Sequence, residues 1–408
     1  MSDGDRSTSK GLHPFLTLVL IIGLVVSSIG DEIYIAVMML QLEDLSSSGL
    51  VVALFLASQL IPAILLAPLA GQIVDRFETS RVLILTQMLQ TVLLFVMSLT
   101  QNISLLLAGA FVLGALFSIS QPALFALIPE LAEKSQVSTK RINAVVEFFS
   151  RSAMLIGPIV GSFLLGTLGA SAALLIDAAT FGVSALSILV VGIRRHPGPH
   201  EAGGSFIKES MEGVNVLNRD PLLRELTPIY TLMTFALSLI AVSEIFFVRS
   251  VLNGSPIIYG VVSALWGVGL LLGSFLAGRS EEDKYPANPV SLSTLNMGIS
   301  LLITGFFSKL LVMIPSQIYG GTANGVLNVS MVNLLHTRVS KEVHGRVFSA
   351  FGALSRVAVI FGYGLASVFA SGQSAVIYQL SGAVMILAGA YGFLRLRNVR
   401  LEPAESSN

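Results

Sequence analysis

The chain contains no cysteine and very little charge. Without cysteine there is no disulfide, no thiolate metal site and no thiol nucleophile. Charged residues make up 12% of 408, about half the roughly 25% of an ordinary soluble chain. Hydrophobic residues reach 53% and the mean hydropathy is +0.81. An integral membrane protein follows from that balance. A formal net charge of zero argues against nucleic acid as a partner. No Gly-rich loop ends in Lys-Ser/Thr, so ATP is not the expected fuel. The histidines at 13, 196, 200, 336 and 344 fall in tails, loops or helix ends without metal-ligand spacing. Nothing here points to an enzyme, a metal or a cofactor. The first apolar run is too long, and too acidic at its far end, for a cleaved leader, and is expected to persist as a helix.

What is present is apolar length. About twenty apolar residues cross a bilayer, and that ruler marks twelve segments. They lie at 13–39, 48–70, 82–99, 103–128, 143–167, 170–193, 224–248, 256–278, 287–307, 310–335, 345–370 and 374–395. The organisation predicted is a tail at 1–12, a six-helix bundle at 13–193, a linker at 194–223, a second bundle at 224–395 and a tail at 396–408. The linker carries Pro197-Gly-Pro199 and Gly203-Gly204. An amphipathic helix from Phe206 to Leu217, lying on the membrane surface, is expected after them. Basic residues set the orientation. With both termini cytoplasmic, twenty of 24 fall in cytoplasmic tails and loops, Arg249 and Lys309 fall outside, and Arg151 and Arg356 fall within the membrane.

The two halves repeat. Ser150-Arg151-Ser-Ala-Met-Leu-Ile-Gly157 matches Ser355-Arg356-Val-Ala-Val-Ile-Phe-Gly362 at an offset of 205, which also carries Arg141 onto Arg346 and Ser162 onto Ser367. Leu65 to Gly71 has a weaker echo in Leu271 to Gly278. The fold class expected is an all-α membrane protein of two pseudo-symmetric six-helix bundles. Such a duplication suits alternating access around a site near the midplane.

Between the second and third segments stands Gly71-Gln-Ile-Val-Asp75-Arg76-Phe-Glu-Thr-Ser-Arg81. Gly71 would let two helices close on each other, Asp75 could accept hydrogen bonds from a helix N-terminus, and Arg76 and Arg81 would hold the loop on the cytoplasmic side. The pattern resembles the signature loop of major facilitator superfamily transporters. Further stretches are similar to the branch containing macrolide efflux proteins and the enterobactin exporter. These are Gly30-Asp31, Gln121-Pro-Ala-Leu-Phe-Ala-Leu-Ile-Pro129-Glu130-Leu, Asn143-Ala, Ile176-Asp177-Ala and Gly345-Arg346-Val-Phe. The resemblance implies the major facilitator fold and proton-driven efflux, with monomer as the family default. Gly157-Pro158-Ile-Val-Gly161 resembles the family's antiporter motif, although Ala153 and Ser162 replace favoured glycines. It reads as that motif or as a packing notch for small residues. A helix-four Arg that many proton antiporters carry is missing from Ala108 to Gly114.

Charge inside a bilayer costs roughly 2.5 to 3.5 kcal/mol per residue on insertion scales, so each such residue is a functional candidate. Asp31 and Glu32 stand about two thirds along the first segment, either facing the cavity or wet at the outer interface. There a carboxylate can alternate between a proton and a cationic drug, and the resemblance favours Asp31. Glu147 and Arg151 have the favourable i,i+4 order. With Arg356 they form a cytoplasmic gate, or Glu147 only neutralises Arg151. Glu244 is a second protonatable site or an interface anchor. Asp177 reads as a structural hydrogen-bonding group, while Gln121 is a polar cavity candidate. Gln317, Asn324 and Asn328 share one face of helix ten, for substrate or for interhelical hydrogen bonds. Trp266 is a stacking surface, a lipid-facing residue or core.

These expectations describe an exporter of amphipathic, drug-like molecules of macrolide or multidrug type, driven by proton antiport in the bacterial inner or plasma membrane. Its partners would be the small-molecule substrate, protons and the lipid bilayer. Alternatives are a dedicated exporter of a siderophore or other metabolite, a lysophospholipid transporter, an importer, or a sensor that transports nothing.

Overall fold

Helix propensity here is set by the solvent. In hydrocarbon every backbone N–H and C=O must be satisfied within its own segment, and long apolar runs therefore become helices. The computed structural model describes residues 14–135, 137–192, 206–279, 287–340, 343–397 and Val399. The N-terminal tail, most of the C-terminal tail, the Pro197–Pro199 and Gly203-Gly204 stretch, Lys284 and Lys341 lie outside the described residues. Every described element is helical.

Helices occupy each of the twelve predicted places. In order they are α1 (Pro14–Ser46), α2 (Gly49–Leu65), α3 (Ala67–Arg76), α4 (Thr79–Ser98), α5 (Ile103–Ser135), α6 (Thr139–Leu168) and α7 (Ala170–Val191). The second half adds α8 (Phe206–Arg219), α9 (Pro221–Phe246), α10 (Pro256–Arg279), α11 (Ala287–Phe307), α12 (Leu310–Arg338) and α13 (His344–Leu396). Among the described residues nine helices are long and apolar enough to cross a bilayer, ten if α2 and α3 form one bent span. The long α13 covers both final segments and breaks its helical geometry at Gln373 (φ −134°, ψ 32°), between them.

Three boundaries differ from expectation for physical reasons. α1 runs seven residues past the predicted end, because nothing breaks it before Ser47, which turns into the left-handed region at φ 45°. The second predicted segment is two helices, α2 with Pro62 inside it and α3 beyond the break at Leu66. α3 opens with a proline in its first turn, and proline's missing N–H and its clash with the preceding turn separate the two helices there. α9 continues into a π-helical turn at Phe247–Val251, a rare geometry that often marks functional positions.

The chain packs as two units that are not cut at the linker alone. One comprises the residues up to Val37, Ser58–Gly157 and Thr167–Glu201. The other comprises Met38–Ala57, Pro158–Gly166 and the chain from Ala202 onward. In the first, Leu20 and Leu24 of α1 meet Leu83 of α4, Leu127 and Leu131 of α5 and Ile188 of α7 in one buried cluster. In the second, α9 and α11 pack along α13, and α10 along α12.

Lipid is as apolar as leucine, so helices associate through close packing and small residues rather than hydrophobic burial. The α10–α12 pair shows it. Added at Gly273, a Cβ would stand 3.0 Å from Thr322 Cα, and at Gly325 it would stand 2.6 Å from the Ser274 amide. Larger side chains would force these helices apart.

The duplication is visible as repeated contacts. In the first unit Gly157 of α6 seats the backbone of Glu32 on α1; in the second, the equivalent Gly362 of α13 seats Ser238 on α9. Gly71 and its echo Gly278 both face open space, with nothing within 4 Å of an added Cβ. The expected closure of two helices on Gly71 is therefore not what this structure shows.

The linker helix α8 docks on α13. Gly213 lies against the Arg346 carbonyl, Glu212 pairs with Arg346 at 3.1 Å and Leu217 is buried. Missing a side chain, Gly213 provides the notch that lets the two helices touch.

Candidate functional site

Because α1 runs to Ser46, Asp31 and Glu32 stand near its midpoint rather than two thirds along. Gly30 brings α1 onto α7, where a Cβ would collide with Thr180 and with the carboxylate of Asp177. Asp31 is thereby an electrostatic neighbour of Asp177, and Glu32 is a neighbour of Asp31. Thr180 donates from Oγ1 to the Asp177 backbone oxygen at 2.7 Å and to its Oδ1 at 3.2 Å. Asp177 is completely buried and its Oδ2 has no hydrogen-bond partner, nor has Oδ1 of Asp31. Among the described residues no Lys, Arg or His pairs with either acid. Two carboxylates without a cation in an apolar interior carry an uncompensated desolvation cost. Any occupant that brings positive charge relieves it.

The second unit holds another acid. Gln317 of α12 donates from Nε2 to Glu244 Oε1 of α9 at 3.2 Å, and Ser263 of α10 donates to the same oxygen at 3.3 Å. Farther along the same two helices, Tyr230 Oη donates to Asn328 Oδ1 at 3.2 Å, and Asn328 Nδ2 to Asn324 Oδ1 at 2.7 Å. Gln317 and Asn328 of α12 thus both reach α9, while Asn324, bonded to Asn328, sets its amide nitrogen 4.0 Å from Met297 Sδ of α11. Glu244 belongs to the first of these two bridges, with Gln317 and Ser263.

Other candidates are placed as follows. Arg151 Nε pairs with Glu147 Oε1 at 2.8 Å, with both side chains exposed (48% and 62%), so neither is built into the interior. Arg356 is half-buried without an ion-pair partner among the described residues, and Gln121 is exposed. Trp266, half-buried, packs on Gly320 of α12. In the signature loop Arg81 pairs with Glu78 at 2.8 Å. No hydrogen bond reaches Asp75 among the described residues, and the α4 N-terminus lacks a side-chain cap. Arg76 is exposed. Gly157 holds α1 in the first unit, whereas in the second Pro158 and Ser162 lie against Gly260 of α10. Ser162 is fully buried there, so a small hydroxyl fits where the motif favours glycine, with Gly161 beside it, also buried.

One constellation escaped sequence reasoning. Arg249, in the π turn, donates from Nε to Glu43 Oε2 at 3.3 Å, from Nη2 to Asp44 Oδ1 at 2.9 Å and from Nη1 to the Gly254 carbonyl at 3.1 Å. The available signal was the scarcity of basic residues on that predicted face, opposite two acids that end α1.

The family model of the Major Facilitator Superfamily matches residues 20–287. The chain belongs to the major facilitator superfamily. It is 22% identical over 358 residues to macrolide efflux protein A of Streptococcus pyogenes, covering 85% of this chain and 87% of that one. Multidrug efflux pump Tap of Mycolicibacterium fortuitum is 25% identical over 362 residues, covering 84% and 86%. The crystal structure of the nucleoside transporter NupG superposes with a TM-score of 0.75 at 12% identity, covering 94% of this chain and 100% of that one. That likeness shows the fold. As a superfamily member the chain is a multi-pass membrane transporter, and the buried acids above are read in that setting.

Proposed function

We propose that this transporter exports amphipathic, drug-like small molecules in exchange for protons, by alternating access across the bacterial plasma membrane, with both termini cytoplasmic. It acts as a monomer and draws on the proton gradient in place of a cofactor. One observation carries the reading. Asp31, at the middle of α1 and next to Asp177, has an unpartnered carboxylate oxygen and no ion pair among the described residues. Such a group is suited to hold a proton in one state and release it when a substrate arrives. Similarity to a macrolide efflux protein and a multidrug pump across most of each chain supports the drug-like substrate class.

The test is uptake into inside-out vesicles under an imposed proton gradient, with dyes, a macrolide and a siderophore screened together. Gradient-dependent uptake is expected in wild type and lost in Asp31→Asn. Undiminished uptake in that variant would move coupling to another acid. No gradient-dependent uptake by folded wild type would overturn antiport.

A further inference from the structure

We propose that the second unit contains a head-group site for an amphipathic organic ammonium ion, centred on the Glu244 carboxylate and completed by Gln317 and Ser263. The inference rests on the exporter reading for its ligand being cargo, but the site is argued from its own geometry.

Helix packing comes first. α9 lies along α13, and α12 lies along α10 and α11. α9 and α12 reach each other by polar side chains, Gln317 to Glu244 at one level and Asn328 to Tyr230 at another. Fourteen residues separate Tyr230 from Glu244, about 21 Å at 1.5 Å per residue. Only one of these bridges contains an ionisable acid.

Charge balance comes next. Were the bridges there only to join helices, neutral amides and hydroxyls would serve. A carboxylate adds the cost of an ion in an apolar interior, and neutral donors do not cancel it. Among the described residues no Lys, Arg or His pairs with Glu244. Arg249, five residues on, is already held by Glu43, Asp44 and Gly254. Glu244 is therefore an acid built into the interior without a cationic partner among the described residues.

The surroundings narrow the class. Tyr259 and Tyr378 lie within electrostatic range of Glu244. Tyr378 is fully buried, its hydroxyl has no hydrogen-bond partner, and its ring meets Phe247 at 4.5 Å between centroids. An unpaired buried hydroxyl and two tyrosines within electrostatic range of the carboxylate suit a substituted ammonium, which combines charge with apolar substituents. Glu244 also keeps some accessible surface while its helical neighbours Ser243 and Ile245 are fully buried. A metal ion fits poorly, since no group of three His, Cys, Asp or Glu converges among the described residues.

Binding to purified protein tests this with two dyes, ethidium as the organic cation and Nile red as the neutral amphiphile. Relative to Nile red, ethidium affinity is expected to fall about tenfold or more in Glu244→Gln, equivalent to 1.4 kcal/mol. Glu244→Asp, which keeps the charge, should recover most of it. Equal ethidium binding in wild type and Glu244→Gln overturns the proposal. So does parallel loss of both dyes in the Gln and Asp variants, or a wild type that binds neither. The exporter reading fails separately, when wild-type vesicles show no gradient-dependent uptake although ethidium binding still depends on Glu244.

Discussion

Gly30 of α1 rests directly on the carboxylate of Asp177 on α7, in space that any Cβ would occupy. Asp177 thereby sits beside Asp31. The close approach depends on a missing side chain, and Gly30→Ala is expected to push the helices apart. Overpacking of this kind costs about 1–3 kcal/mol. Thermal unfolding in detergent should show the loss, and Gly30→Ala should lower uptake along with Asp31→Asn. A variant with unchanged melting and uptake would mean that α7 yields freely at this point.

Arg249 offers a cleaner energetic test. Its guanidinium joins the end of α1 to the π turn after α9 through Glu43, only 9% exposed, and Asp44, 49% exposed. Removing Arg249 strands the Glu43 charge in a nearly buried place, whereas Asp44 remains in contact with solvent. Arg249→Gln should therefore destabilise more than Arg249→Gln placed in a Glu43→Gln background. A double-mutant cycle by thermal unfolding should give a coupling within about 0.5–3 kcal/mol. The matching cycle with Asp44→Asn should give less, since exposed pairs contribute about 0–1 kcal/mol. Equal coupling for the two acids would contradict the difference in burial.

How much of this was legible beforehand depends on the range of the interaction. Apolar runs fix the helices locally, and a duplicated Ser-Arg…Gly pattern marks Gly157 and Gly362, which seat α1 and α9 alike. The Gln317, Asn324 and Asn328 face follows from helical spacing. Long-range partners do not follow. Asp177 carries no mark of its proximity to Asp31, and Glu43 is 206 residues from Arg249. Gly71 shows the opposite failure, since a motif glycine stands in open space. Local pattern reveals which faces are polar, whereas only packing reveals what they meet.

Glu147 and Arg151 read as a gate or as simple neutralisation, and their exposure gives a way to choose. An unpaired Arg in hydrocarbon costs roughly 2.5–3.5 kcal/mol on insertion scales. If Glu147 only neutralises Arg151, Glu147→Gln should reduce the amount of inserted protein. The double variant Glu147→Gln/Arg151→Gln should restore both insertion and uptake. If the pair gates transport, insertion should be nearly normal in every variant and uptake should stay low in the double variant. Membrane-fraction yield and vesicle uptake, measured on the same preparations, separate the two.

The docking of α8 leads to the last prediction. Gly213 lies against Arg346, where an added Cβ would stand 2.6 Å from its carbonyl carbon and 2.8 Å from the Ala350 Cβ. Glu212 reaches the same Arg346 from the next position along the helix, at 3.1 Å. Both partners are half exposed, so the ion pair alone holds little, and the notch does most of the seating. Gly213→Leu should therefore release α8 from α13, while Glu212→Gln should barely loosen it. Limited proteolysis of reconstituted protein reads this directly, with cleavage within α8 accelerated in Gly213→Leu and near wild type in Glu212→Gln. Faster cleavage in Glu212→Gln, with Gly213→Leu protected, would mean that charge rather than shape seats the helix.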